Sequence, residues 1–205
     1  MGYIDGPGLA AAPFTPSVAP LAEAPLSRCV FQSCRAAGPR PQDLLWLLVL
    51  GMAGRGPVAP LEVLRQAQAL GPDFTPSADV VGAVVEEVEA SGAADRLDDG
   101  RLALSAHGRA ALMRLMIAPA RTLRGGLGRV EARLRLAFAD LLPPAARTET
   151  LDRLIAAARD DLAEAARRLD LPHAGTLGRS WAAGELSEAA GTVERLRALR
   201  AGLEG

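Results

Sequence analysis

Lysine is absent from this 205-residue chain, and all 23 of its basic side chains are arginines. We read the absence as a coding bias with one chemical consequence: arginine meets phosphate and carboxylate with a planar two-donor fork, where lysine offers a point charge. Aromatic residues make up only 3% of the chain, so its 49% apolar content is largely alanine and leucine. Such a composition favours helices, because these side chains lose little freedom in them. Only two cysteines occur, Cys29 and Cys34, with neither a second pair nor a nearby histidine. That excludes a four-ligand zinc site and leaves ordinary thiols in a reducing cytosol, or a redox switch as the alternative. Long hydrophobic runs are missing too. The longest, Leu44 to Leu50, has seven residues, against the roughly 20 that a membrane-spanning helix needs. The first residues lack the positive start and apolar stretch of a secretory signal. The expectation is a soluble, cytoplasmic protein with no membrane contact.

Clusters that carry chemistry are equally scarce. Arg124-Gly125-Gly126-Leu127-Gly128 is no phosphate loop, since no strand precedes it and no GK[ST] follows. It reads instead as a kink or a ragged helix start. His107 falls in the first turn of a helix and His173 beside Pro172 in a loop, neither with a carboxylate or cysteine at ligand spacing. With no nucleophile–base pair, metal cluster or phosphate cradle, the chain is expected to have no enzymatic activity, metal or cofactor.

What is present falls into three segments. Residues 1–40 carry Pro7, Pro13, Pro16, Pro20, Pro25 and Pro39, a density that forbids long helices and reads as a flexible arm with room for a short helix near Arg28 to Cys34. From Gln42 an apolar helix begins after Pro41 and is expected to end near Gly51 and Gly54. A second starts at Pro60, with Leu61, Leu64, Ala67 and Leu70 on one side. A third is capped by Thr75 or Ser77 and turns Val81, Val84, Val85 and Val88 inward at helical spacing. Two short alternating runs flank Asp99-Gly100, a hairpin signal, and Ser105 caps a fourth helix. Residues 41–118 thus read as three helices, a small hairpin and a returning helix. Residues 119–205 read as amphipathic helices. Leu123, Leu127, Val130, Leu134, Phe138 and Leu141 form one stripe, with Arg121, Arg124, Arg129, Arg133 and Arg135 on the other faces. Pro143-Pro144 breaks it, and a second stripe holds Leu151, Leu154, Ile155, Ala158, Leu162, Ala165 and Leu169. A third runs from Leu186 through Val193, Leu196 and Leu199 to Leu203, after a Gly/Pro-rich loop containing Trp181.

The segment Gly92-Ala93-Ala94-Asp95-Arg96, then Asp99-Gly100-Arg101, then Leu104-Ser105-Ala106-His107-Gly108-Arg109 resembles the wing and exit helix of MarR-type and PadR-type winged helix-turn-helix regulators. The apolar helix from Asp43 to Met52 is similar to the opening of PadR proteins, and LLPPAARTETLDRLI to the tail turn of MarR proteins. The resemblance spans roughly residues 42–170. It implies a mainly α fold: a winged helix-turn-helix domain with a small β-hairpin wing, followed by dimerising helices. It further implies a homodimeric transcriptional regulator that binds double-stranded DNA. Arg65, Thr75, Ser77, Arg96 and Arg101 are then the candidate DNA contacts. Leu123, Leu127, Val130, Leu134, Phe138, Leu141, Leu154 and Leu162 are the candidate dimer contacts.

Charge points another way. Residues 41–118 hold six arginines against ten acids, while residues 119–205 hold fourteen against twelve. Between Pro76 and Arg101 stand Asp79, Glu86, Glu87, Glu89, Asp95, Asp98 and Asp99, opposed only by Arg96 and Arg101. Glu86 and Glu87 occupy positions where PadR-type recognition helices are basic, and Gly82 replaces a tyrosine. The wing is also shorter than the MarR form and lacks its arginine cluster. Affinity for DNA comes largely from cations that neutralise phosphates. The alternative is therefore a winged-helix adaptor that binds no DNA and docks a protein partner on its acidic third helix.

Overall fold

The computed structural model describes residues 40–120, 122–169 and 175–203, all within one compact unit, Ala36–Gly205. The expected N-terminal arm, its short helix, both cysteines and His173 lie outside the described residues. Within the described residues, seven helices and one two-stranded hairpin give a mainly helical fold.

Helix α1 (Pro41–Arg55) is the innermost element. Leu44, Leu45, Leu47, Leu48, Val49 and Leu50 are all buried, and a helix apolar on every side is stable only when surrounded. Its neighbours are α2 (Pro60–Ala69), α3 (Ala78–Ala90), β2 (Leu102–Leu104), α4 (Ala106–Ile117) and α5 (Gly126–Ala137). The helix runs past Gly51 and ends one residue after Gly54, near the expected stop, and both glycines are contact points. A Cβ on Gly51 would overlap the Phe138 ring, and one on Gly54 would meet Leu141 at 3.0 Å. Arg55 then closes the helix over α5: its guanidinium lies 5.7 Å from the Phe138 ring centroid and donates to the Ala137 carbonyl at 2.6 Å.

In α2 the buried residues are Val63 and Ala67, whereas Leu61 is 56% exposed. Of the expected side, Leu64, Ala67 and Leu70 do face the core, and only Leu61 is turned outward, with Val63 buried in its place. Helix α3 matches its expected stripe, with Val81, Val84, Val85 and Val88 all buried, and Ser77 is its cap. Strand β1 (Ala94–Arg96) pairs antiparallel with β2, setting Ala94 opposite Leu104 and Arg96 opposite Leu102. Gly100 takes the positive φ (80°) that this tight turn needs. Val58 pairs with Leu102 on the other edge of β2, through bonds of 3.0 and 2.8 Å.

Entry into α4 is a dense local knot. The Ser105 hydroxyl donates to the Gly92 carbonyl at 2.6 Å and accepts from the Gly108 N–H at 2.9 Å. The Ser105 N–H donates to the Ala93 carbonyl at 3.2 Å. That carbonyl fills the space a Cβ on Gly108 would need, so only glycine fits there.

Beyond α4, α5 begins at Gly126 with Gly125 as its cap, which is the ragged start expected of the glycine cluster. A 3-10 turn (Ala139–Leu141) leads to α6 (Pro144–Leu169) and α7 (Thr176–Ala201). These last two run antiparallel, as the Arg200–Asp152 pair at 3.2 Å between their opposite ends requires. Trp181, expected in a loop, sits within α7 and is 75% exposed.

Two cores result, and α5 is their common wall. Val130, Leu134 and Phe138 join the core of α1 to α4. Ala132 and Leu136 join the core of α6 and α7, which is built on Leu151, Leu154, Ile155, Val193 and Leu196. With both faces occupied, α5 leaves only Arg129, Arg133 and Ala137 exposed. Arg135 is therefore buried rather than solvated, at 3% exposure, and pairs with Glu131, equally buried. Burial pulls the Arg135 guanidinium below its ordinary value, and Glu131 opposes that shift. A second bond, Nη1 to the Ala118 carbonyl at 2.5 Å, fixes the end of α4 to α5.

Removing one member of a buried pair leaves an uncompensated charge, at a cost of about 3–5 kcal/mol. Glu131→Ala is expected to lower stability by that order in urea unfolding. The double change Glu131→Leu with Arg135→Met, which removes both charges and keeps the volume, recovers most of it. Equal losses in the single and double variants would contradict this role for the pair.

Candidate nucleic-acid interface

The segment just before α3 and the hairpin carry four of the five residues expected to meet DNA, Thr75 and Ser77 in the first and Arg96 and Arg101 in the second. With its four valines turned inward, α3 exposes Asp79, Val80, Gly82, Ala83 and Glu86. No cation and no amide side chain stands on that face. Ser77 and Thr75 are exposed at its N-terminal end, where Ser77 Oγ accepts weakly from the Val80 N–H at 3.4 Å. They are the exposed hydroxyl side chains at the start of this helix.

Both hairpin arginines are already held by carboxylates. Arg96 forms a two-point pair with Glu89 of α3, Nε to Oε1 at 2.7 Å and Nη2 to Oε2 at 2.5 Å. A third bond reaches the Gly100 carbonyl at 3.3 Å. The Glu89 hydrogen bond is the chief cause that raises the Arg96 guanidinium above its ordinary value. Arg101 is bound within the turn. Its Nε and Nη2 lie 2.7 and 2.6 Å from Asp99 Oδ2, and its backbone N–H donates to Oδ1 at 3.0 Å.

Arg101 holds the Asp99 carboxyl below its ordinary 3.8, first through the side-chain hydrogen bond and then through the backbone N–H. A lowered carboxyl value means that the pair is complete at neutral pH and is lost only as pH falls through that value. Exposed pairs of this kind are individually weak and contribute little to the stability of the fold. Arginine at the hairpin is therefore present but neutralised.

The other cations are distributed unevenly. Arg65 on α2, with Arg109 and Arg114 on α4, is exposed and makes no hydrogen bond or ion pair among the described residues. Arg55 is engaged by Asp140 at 3.0 Å. Of the acids singled out on α3, Glu87 accepts from Gln42 Nε2 at 2.6 Å and from the Trp46 indole N–H at 3.2 Å. It joins α3 to the start of α1, a role that spacing along the chain gives no means of detecting. Asp79 and Glu86 accept no hydrogen bond among the described residues, and they define the open acidic face.

The eight residues expected at a dimer interface are occupied inside the chain. Val130, Leu134 and Phe138 are buried in the first core, with Leu127 and Leu141 packed against it. Leu123 and Leu154 are buried in the second, with Leu162 packed against it. The most exposed large apolar residues of this half are instead Leu177 (87%) and Trp181 (75%), one turn apart on α7, with Leu199 and Leu203 exposed to a lesser degree.

No protein-family model and no curated protein matches this chain.

Proposed function

We propose that the region from α1 to α4 is a winged helix-turn-helix module of the MarR/PadR kind and that the protein is a DNA-binding transcriptional regulator acting as a homodimer in the cytoplasm, without enzymatic activity. One observation carries the reading. The order α1–α2–α3–β1–β2–α4, with Val58 adding a third bridged position beside β2, follows that of such modules, and the hairpin is tied to α3 through the Arg96–Glu89 pair; these are the two elements such modules insert into and beside the major groove. Arg96 and Arg101 then act as backbone contacts, exchanging Glu89 and Asp99 for phosphate, with Arg65 as a further cation. Ser77 and Thr75 meet base edges.

A second reading has its own support. The outer face of α3 carries Asp79 and Glu86 and no cation, which suits an adaptor that docks a basic protein segment and binds no DNA. The two readings separate in one titration. Labelled genomic duplexes, including the region upstream of the coding sequence, are titrated with the wild type and with Glu89→Gln/Asp99→Asn across a salt series. Releasing both arginines is expected to steepen the slope of log K against log salt by about one for each additional phosphate that an arginine neutralises. Absence of salt-sensitive binding at micromolar protein in both forms would remove the DNA reading and leave the adaptor.

Self-association belongs to the proposal with its surface relocated. Because the α5 stripe is consumed internally, pairing draws on the exposed Leu177 and Trp181 of α7; adjacent large apolar side chains at such exposure favour a contact surface. Leu177→Ser with Trp181→Ser is expected to convert a dimer to a monomer in sedimentation velocity. A dimer that persists in this variant would exclude α7 as its interface.

A further inference from the structure

The glycine cluster Arg124-Gly125-Gly126-Leu127-Gly128, which opens α5, lies where the tail helices meet the α2–α3 connection. Two of its glycines are there for contact. A Cβ on Gly128 would overlap the Thr122 carbonyl, and one on Gly126 would fall 2.5 Å from the Asp73 Cβ. The first glycine lets residues 122–125 fold back over the opening turn of α5. The second lets the α2–α3 connection rest directly on that turn.

Both sides of this segment are pinned by hydrogen bonds. On the tail side, Asp161 of α6 accepts from the Thr122 hydroxyl at 2.7 Å and from the Leu123 N–H at 2.6 Å. Glu185 of α7 pairs with Arg124 Nη2 at 2.7 Å. Arg124 Nη1 is enclosed with no hydrogen-bond partner, so this side chain is packed in place as well as paired. On the other side, one guanidinium spans the gap. Arg129 donates from Nη1 to the Arg124 carbonyl at 2.9 Å and from Nη2 to Asp73 Oδ2 at 2.6 Å. Arg133, one turn later, donates at 2.9 Å to the carbonyl of Leu70, the residue that caps α2. Arg124, Arg129, Arg133 and Glu185 also border a cleft of about 470 Å³ between α5, α6 and α7, so the chain of bonds crosses its rim.

Singly, an exposed pair such as Arg129–Asp73 contributes little. Linked through a shared guanidinium and seated on two glycines, these bonds act together, and such coupling shows as non-additive effects of substitution. We infer that residues 122–129 form a joint through which α6 and α7 hold the α2–α3 connection, and with it the N-terminal end of α3, in place on α5. The order of that connection then depends on Asp161 and Glu185, whose side-chain bonds among the described residues reach only Thr122, Leu123 and Arg124. The joint is a property of the chain itself, independent of what α3 contacts.

Native-state amide exchange of the full-length protein reads the joint. The reporter is the Phe74 N–H, which donates to the Gly71 carbonyl at 3.1 Å inside the connection. Amides of Val49 and Leu50, buried in α1, report the stability of the whole. Glu185→Gln removes the charge that pairs with Arg124, and Asp161→Asn removes one of the two acceptors at Thr122 and Leu123. Each is expected to speed exchange at Phe74 at least roughly threefold, with Val49 and Leu50 unchanged. Asp73→Asn, at the far end of the joint, is expected to do the same. Adding Glu185→Gln to Asp73→Asn is expected to give clearly less than the product of the two single effects, because the joint is already broken. The inference is overturned by unchanged Phe74 exchange in both tail variants, by equal acceleration at Phe74 and in α1, or by effects of Asp73→Asn and Glu185→Gln that multiply independently. Since no nucleic acid enters the measurement, its outcome is separate from that of the DNA reading.

Discussion

Helix α5 has to satisfy two hydrophobic cores at once, and the rest of the fold follows from that demand. Its Val130 and Leu134, with Phe138 capping its C-terminal end, complete the core around α1, while Ala132 and Leu136 complete the one between α6 and α7. Charged residues on such a helix have little surface left to occupy, so Glu131 and Arg135 neutralise each other inside the structure. Even the exposed arginines are used: Arg129 reaches Asp73 and Arg133 the Leu70 carbonyl, which ties the α2–α3 connection to the same helix. Gly51 completes the arrangement from the α1 side. It allows the Phe138 ring to lie against the helix backbone, an approach that any larger residue would push apart.

This rigid centre holds two chemically different surfaces. On one, α3 and the hairpin form the surface proposed for nucleic acid, where each hairpin arginine is matched to its own acid. Such matching lowers non-specific attraction to phosphate without abolishing the capacity for it, because exposed pairs exchange partners readily. The other surface is the cleft between α5 and α7. Its lining carries four arginines against three carboxylates. Both surfaces depend on α5, the first through Arg129 and Arg133 and the second as a wall of the cleft.

Local features are readable from sequence, and partner-dependent ones are not. The four valines of α3, the Asp99-Gly100 turn and the Ser105 cap are determined within a few residues, by helical spacing, positive φ and side-chain capping. Gly108 is recognisable as part of a motif, yet its reason, the Ala93 carbonyl against its Cα, appears only in three dimensions. Gly51 and Gly54 mark the end of α1 closely, since it stops at Arg55, but nothing near them in sequence announces Phe138 or Leu141. Leu61 reads as inward and Arg135 as outward for the same reason: periodicity gives the faces of a helix, and its neighbours decide which are buried. Trp181 reads as a loop residue because of the glycines and proline before it, although α7 begins at Thr176. The pairing of Arg96 with Glu89 joins two elements, and charge counting along the chain registers only the excess of acids. The orphaned Arg124 nitrogen has no sequence signal.

If α5 is the shared wall, the two cores open together rather than as separate bodies. Native-state hydrogen exchange measures this directly, because amides that open in one cooperative unit share one free energy. Buried amides of α1, around Val49 and Leu50, and of α6, around Leu154 and Ile155, are predicted to converge with those of α5 on a single opening free energy as denaturant is added. An opening of α6 and α7 at clearly lower free energy, with α1 and α5 still protected, would contradict the account.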